Sequence, residues 1–445
     1  VIDNGLTRAD NIQALGDFDN SITVKNGATL DIYGQNLQGY TQAITINGLV
    51  DESTGALINT GSDQRYALRK IALGSDASIG NDGNRFDIGR NFSGEICITG
   101  NNYSLTKVGN NLIALFGDGT DVSGLIINGG TISLRADYAV GAAPITINSG
   151  TVLTFSGNRT FPNAIILNNN GEIRAPSENY DGFFNGPVTI TGSVTLNNNN
   201  EGNLTFGGII SGNGSITKTG SGNVVLSAAN TYTGPMTVSD GILTVNGSLA
   251  SGSNVTVKSG AALGGNGTVN DTVRIENGAI LSPGNNSAQK ITINTCILNN
   301  SSVLNFDLGR TSDTVTVLGN LILDGIVNIS DASGFSVGSY TLFTYGGSCT
   351  NNDLTLNNVP GGFIYAIHVM PNKVVLDVSV PSQMLPITVK HNVGTGSSDT
   401  CLVYTDNWSL IFDEDEGGQI KFLSNTPDGG GTNQVWSTDQ RNLFS

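Results

Sequence analysis

Two histidines, His368 and His391, are all the imidazole that this 445-residue chain offers. A lyase or hydrolase working on an acidic polysaccharide would need such a base, or paired carboxylates, beside Arg and Lys on one face. Two charged runs are the local candidates: Arg65-Tyr66-Ala67-Leu68-Arg69-Lys70 is basic and Asp413-Glu414-Asp415-Glu416 is acidic. The other Lys and Arg are scattered, so the basic run reads as a solvated corner rather than a substrate clamp, and no residue is assigned a catalytic role. Calcium is the next chemistry to weigh, because Asp and backbone carbonyls at turns suit a hard cation. GDGTD at 117–121 and DEDEGG at 413–418 have the residue types for it. Neither has the spacing of an EF-hand loop or of the Gly-rich nonapeptide of β-rolls, so both read as ordinary turns, and no metal or cofactor site is assigned.

Trp408, Trp436 and Tyr404 could stack on a cell-surface glycan, yet in a small β module such rings more often form the core. Cys97, Cys296, Cys349 and Cys401 lie too far apart in sequence for a metal knuckle or a redox pair. Three of them sit in the strand-like EICIT, NTCIL and DTCLV, where a thiol packs as a small hydrophobe. A disulfide such as Cys349 with Cys401 is the rival reading, permitted outside the cell. The sequons at Asn91, Asn102, Asn158, Asn203 and Asn254 are expected by chance in a chain this rich in Asn, Ser and Thr, so no glycosylation is inferred.

The elements that must position these residues are short and alike. SITVKN, GTISLR, APITINS, GPVTITGSVTLN, NVTVKSG and DTVTVLGNLIL alternate β-branched and polar residues between Gly, Asn, Asp or Ser boundaries. Period-2 alternation between turn clusters is the strand signal, and no 3.6-residue period lasts long enough to predict a helix. The pattern also repeats: YSLTKVGNNLIAL at 103–115 returns as GSITKTGSGNVVL at 214–226, NGGTISL at 128–134 as SDGILTV at 239–245, and PITINSG at 144–150 as NVTVKSG at 254–260. Similar strands start roughly 20 residues apart, about one turn of a coil, so an offset near 110 is about five coils. Residues 1–280 are therefore expected to form a right-handed parallel β-helix, an all-β β-solenoid with Val, Ile and Leu inward and Thr, Asn and Ser outward. A chain of β-sandwiches would also give short strands, but it would place sharp linkers between its repeats. Residues 281–380 read as final coils and a capping β region, VPSQMLP at 380–386 as a linker, and 381–445 as a small C-terminal β module.

Composition narrows the function class. Only 13% of residues are charged, about half the usual share, and the net charge is −16. Nucleic acid is excluded as a partner, since phosphate neutralisation needs clustered Lys and Arg. No apolar run approaches the ~18 residues of a membrane-spanning helix. The chain begins at Val1 with no initiator Met and no apolar leader, which is what a removed secretory signal leaves, and an arbitrary boundary would look the same.

Residues 212–246, GNGSITKTGSGNVVLSAANTYTGPMTVSDGILTVN, resemble the passenger-associated transport repeat of bacterial autotransporters and related giant surface proteins. The resemblance is carried by Lys218, Gly220, Gly222, Leu226, the run Asn230-Thr231-Tyr232-Thr233-Gly234, and Thr237, Val238, Gly241 and Leu243. It extends through Gly264-Gly265-Asn266-Gly267 and Leu281-Ser282-Pro283-Gly284-Asn285 to the DTVTVLGNLILDG and YTLFTY stretches, covering 200–380, with a degraded copy at 103–173. It implies a right-handed parallel β-helix exported to a bacterial cell surface. The first copy lacks the Asn-Thr-Tyr run, so a different corner is expected there. No strand pattern of a C-terminal membrane barrel follows, so the expected anchor lies outside this chain or is of another kind. The leading expectation is a non-enzymatic extracellular structural subunit that self-associates end to end into a surface filament or matrix. The alternative is the passenger or stalk of an adhesin, and a β-helix polysaccharide lyase or hydrolase ranks below both.

Overall fold

The computed structural model describes residues 1–92, 94–284 and 288–381 in full, and beyond them the backbone of the strands at 384–390, 398–404, 408–413, 419–424 and 434–436. Among the described residues there is no helix. The chain divides into two compact units, residues 1–360 with 367–376, and residues 361–366 with 377–445. The first is a parallel β-solenoid; the fold comprises about 15 turns.

Its construction follows from period-2 strands too short to bury a face alone. Each strand lies parallel on its counterpart one coil later, in register. Leu105 thus stacks on Leu125, Ile145, Ile165, Val188 and Ile210 in turn. A second ladder climbs Ile113, Ile132, Leu153, Ile173 and Leu196 and, beyond residue 218, continues as Val238, Val257, Ile275 and Leu298. These inward side chains are buried, and their alternating neighbours such as Thr146 and Thr195 are not. Parallel pairing runs unbroken across residue 280, since Ile280–Pro283 lies between Ala262–Gly265 and Val303–Leu308. Later strands are longer, as in Leu321–Asp331, whose inward residues alternate with half-exposed ones.

A polar ladder holds one line of corners. Asn148 Nδ2 donates to Asn128 Oδ1 at 2.6 Å, Asn168 Nδ2 to Asn148 Oδ1 at 2.6 Å, and the Thr191 hydroxyl to Asn168 Oδ1 at 2.8 Å. One amide per coil therefore satisfies the next without any charge. Inside, Phe155, Phe161, Phe184 and Phe206 form a continuous aromatic stack, with Phe161 to Phe184 at 4.9 Å and Phe184 to Phe206 at 5.3 Å between centroids. Cys97 and Cys296 are buried thiols, Cys296 within a ladder between Val273 and Leu321; burial pushes Cys97 up to about 11 and Cys296 up to about 12, which keeps both protonated at neutral pH. Cys349 is half-buried. In the second unit the strand pairing is antiparallel: Met384–Lys390 with Ser398–Tyr404, and Trp408–Asp413 with Gln419–Ser424 and Gln434–Trp436. The side chains of Cys401, Tyr404, Trp408 and Trp436, and His391 and Glu414–Glu416 altogether, lie outside the described residues.

Candidate functional site

The repeat motif at 212–246 gathers several unusual internal contacts. Lys218 stands in the second inward ladder, between Leu196 and Val238, and is fully buried. A strictly apolar interior would exclude it. The backbone makes a place for its ammonium: Nζ donates to the carbonyls of Thr219 at 3.2 Å and Asp240 at 2.7 Å, and to that of Gly220. Gly220 and Gly241 turn at φ 77° and 64°, and a Cβ at Gly241 would press against the same ammonium. The first copy repeats the arrangement. Lys107 lies between Ile79 and Ile127, fully buried, and its Nζ donates to Val108 and Gly109 carbonyls at 2.7 Å each and to Gly129 at 3.1 Å. Burial lowers both amines, Lys107 to about 7 and Lys218 to about 8.

Asn230 joins three coils. Its Oδ1 accepts the Ile210 N–H at 2.9 Å, while Nδ2 donates to Ala228 at 2.9 Å and to Ser248 at 3.2 Å. Tyr232 is fully enclosed, its hydroxyl against Met236 Sδ at 3.4 Å and its carbonyl taking the Ser253 hydroxyl. A Cβ on Gly234 would overlap the Gly214 carbonyl. The first copy, without an Asn-Thr-Tyr run, turns through the short strand Asp118–Thr120 paired with Ile96–Thr99. Lys218, Asn230, Tyr232 and Gly234 are thus consumed in building corners and core, while Thr231 and Thr233 of the same run face solvent.

The charged groups singled out in the sequence have separate fates. Asp118 and Thr120 of the GDGTD turn belong to that strand, and among the described residues no three His, Cys, Asp or Glu side chains converge as a metal site would require. His368 lines a shallow groove with Asn351, Asp353, Leu354, Leu356 and Met370. In the Arg65–Lys70 run only Arg65 and Tyr66 are exposed. Arg69 packs over the Phe92 ring at 4.5 Å and pairs with Glu95 at 3.1 Å, and Lys70 reaches the same carboxylate at 3.7 Å. The run is therefore the rim of a packed patch rather than a solvated corner.

That patch continues onto residues that sequence reasoning did not single out. Asp87 sits on an outward position of its strand, beside Ala114 and then Ser133, yet all three are fully buried. Arginines cover them: Arg85 grips Asp87 at 2.7 and 2.9 Å, and Arg90 reaches it at 3.4 Å. Arg90 lies over the Tyr66 ring at 5.2 Å and over the Phe116 ring at 5.1 Å, and Arg135 lies against Phe116 at 5.7 Å. Tyr66, Arg90, Phe116 and Arg135 so form an alternating aromatic and guanidinium stack. Arg135 donates from Nε to Ser133 Oγ at 2.9 Å. No carboxylate lies within 4.0 Å of it among the described residues. Its guanidinium is pulled below its ordinary value by burial and then by repulsion from Arg85.

Residues 216–245 match the passenger-associated-transport-repeat family. Over 188 residues, 39% of this chain, the sequence is 33% identical to the adhesin BmaC autotransporter of Brucella suis biovar 1 (strain 1330). Over 124 residues, 27% of this chain, it is 35% identical to an extracellular serine protease of Serratia marcescens. The chain spans 6% of the length of the first relative and 12% of the second.

Proposed function

From a chain that carries a passenger-associated transport repeat inside an all-β parallel solenoid, we propose the shaft of a bacterial surface adhesin: a non-enzymatic, extracellular passenger segment that holds binding surfaces away from the cell. The observation that carries this reading is the similarity to an adhesin autotransporter, together with a repeat motif whose Lys218, Asn230, Tyr232 and Gly234 are all spent on the scaffold. Stacked coils with an uncharged Asn and Thr exterior give stiffness without charge. The similarity to a protease is read as a shared shaft, because it covers only 12% of that relative's length.

Three measurements test the proposal. Antibodies against the purified chain should label intact cells of the source bacterium, and absence of label on intact but not on broken cells would remove the surface assignment. In electron microscopy the solenoid should give discrete rods whose length, from about 15 turns at ~4.8 Å, is about 70 Å. Filaments lengthening with concentration would instead favour self-association end to end. Incubation with casein and with acidic polysaccharides should leave both intact; turnover of either overturns the non-enzymatic reading.

A further inference from the structure

In the stack of Tyr66, Arg90, Phe116 and Arg135, the described residues give Arg135 no carboxylate in ion-pair contact. Arg69 and Lys70 pair with Glu95, and Arg85 and Arg90 pair with Asp87, while Asp87 and Glu178 act on Arg135 only at a distance. A chain of net charge −16 has every opportunity to neutralise such a group by composition alone. Instead Arg90 and Arg135 lie against one phenyl ring, Phe116. A guanidinium lying against a ring keeps its edge donors available, and a pair so placed can take one anionic group in a forked, bidentate way. Beside them Tyr66 is 40% exposed, a flat amphipathic face of the kind on which a sugar ring stacks.

We infer that this stack is a binding site for an acidic glycan, with Arg135 and Arg90 taking a carboxylate or sulfate and Tyr66 stacking on the sugar bearing it. The stack crosses several successive coils, so the polymer would lie along the solenoid rather than across it. The buried Asp87 acts here as a positioning residue: its two oxygens hold Arg85 and draw in Arg90, so that the Arg90 plane rests on both rings. The inference deepens the reading of a displayed shaft and rests on it only for where the ligand is met. Binding is measured on the purified chain, so its failure leaves surface display untouched, and failure of display leaves binding untouched.

The test is calorimetric or surface-plasmon titration of the full chain with a sulfated glycosaminoglycan, with polygalacturonate as a uronate without sulfate, and with neutral dextran. Binding to either acidic polymer and not to dextran is expected, and the tighter of the two identifies the anion. Arg135→Gln should weaken it about tenfold, as loss of one charge-assisted contact does. Arg135→Lys keeps the charge and loses the planar fork, and should weaken binding severalfold at an unchanged melting temperature. Lys258→Gln, at a surface pair with Glu276 away from the stack, should leave binding unchanged. The site is refuted by equal binding to dextran, by no binding to either acidic polymer, or by Lys258→Gln and Arg135→Lys having the same effect. Should Arg135→Gln lower the melting temperature, the Arg135→Lys comparison decides alone.

Discussion

Lys218 and Lys107 show what a single side chain contributes to this fold and what it demands. Each ammonium has three carbonyl acceptors, one for each proton, so removing the amine takes a charged donor from three carbonyls at once. Lys218→Met fills the same volume and should still destabilise the protein by about 2 kcal/mol, the usual scale for a buried bond to a charged group. Their titration sets the pH dependence. In the folded chain burial holds the amines near 7 and 8, whereas the unfolded chain titrates them near ~10.4. Between those values the unfolded state binds more protons, so the lysine contribution rises with pH across that window and is least favourable below about 7. Denaturant midpoints measured from pH 6.5 to 10 should climb more steeply for the native chain than for the Lys107→Met/Lys218→Met double variant. Parallel pH profiles would show that the amines keep their ordinary affinity for protons.

At the scale of the element, strands are cheap to specify and corners are not. The corner at 228–234 depends on Asn230 bonding into the coils on both sides and on Gly234 approaching Gly214 more closely than any Cβ permits. Asn230→Ala strands the Ile210 N–H, while the Ala228 and Ser248 carbonyls keep backbone donors, and should cost roughly 1–3 kcal/mol; Asn230→Asp, which keeps the acceptor and loses the donors, should fall between. Equal melting temperatures for all three proteins would show the corner to be held by its strands alone. This contrast also explains what could be read from the sequence. ITI, VTI and VTV segments announce their two faces by alternation, and the offset between repeats announces that they stack, so the solenoid was legible. The lysines defeated the same rule, because an inward cation is tolerated only where a glycine corner aims carbonyls at it, a property of backbone direction rather than residue type. The arginine stack was illegible for another reason. Coils here differ in length, so Tyr66, Arg90, Phe116 and Arg135 recur at no fixed period and meet only once the register is known.

For the solenoid unit as a whole, the decisive property is that strands pair only between neighbouring coils. Phe184 illustrates the consequence: its ring meets Phe155 at 6.2 Å, Phe161 at 4.9 Å and Phe206 at 5.3 Å, and its strand pairs with Arg159–Phe161 and Asn203–Phe206. Phe184→Ala opens a cavity whose walls cannot collapse without breaking the ladder register, at a cost of about 3–5 kcal/mol. In a globular domain with one core that loss would lower protection against hydrogen exchange everywhere. In a one-dimensional stack the stability is a sum of coil and interface terms, so the loss should stay near its origin. Amide exchange should therefore speed up in Val152–Phe155, Arg159–Phe161 and Asn203–Phe206, fade within one or two coils, and remain at its native rate in Leu321–Asp331. A uniform acceleration reaching Leu321–Asp331 would mean that the unit unfolds as one cooperative body. Local loss, by contrast, would mean that a displayed shaft tolerates damage in one coil while the binding surfaces on distant coils keep their shape.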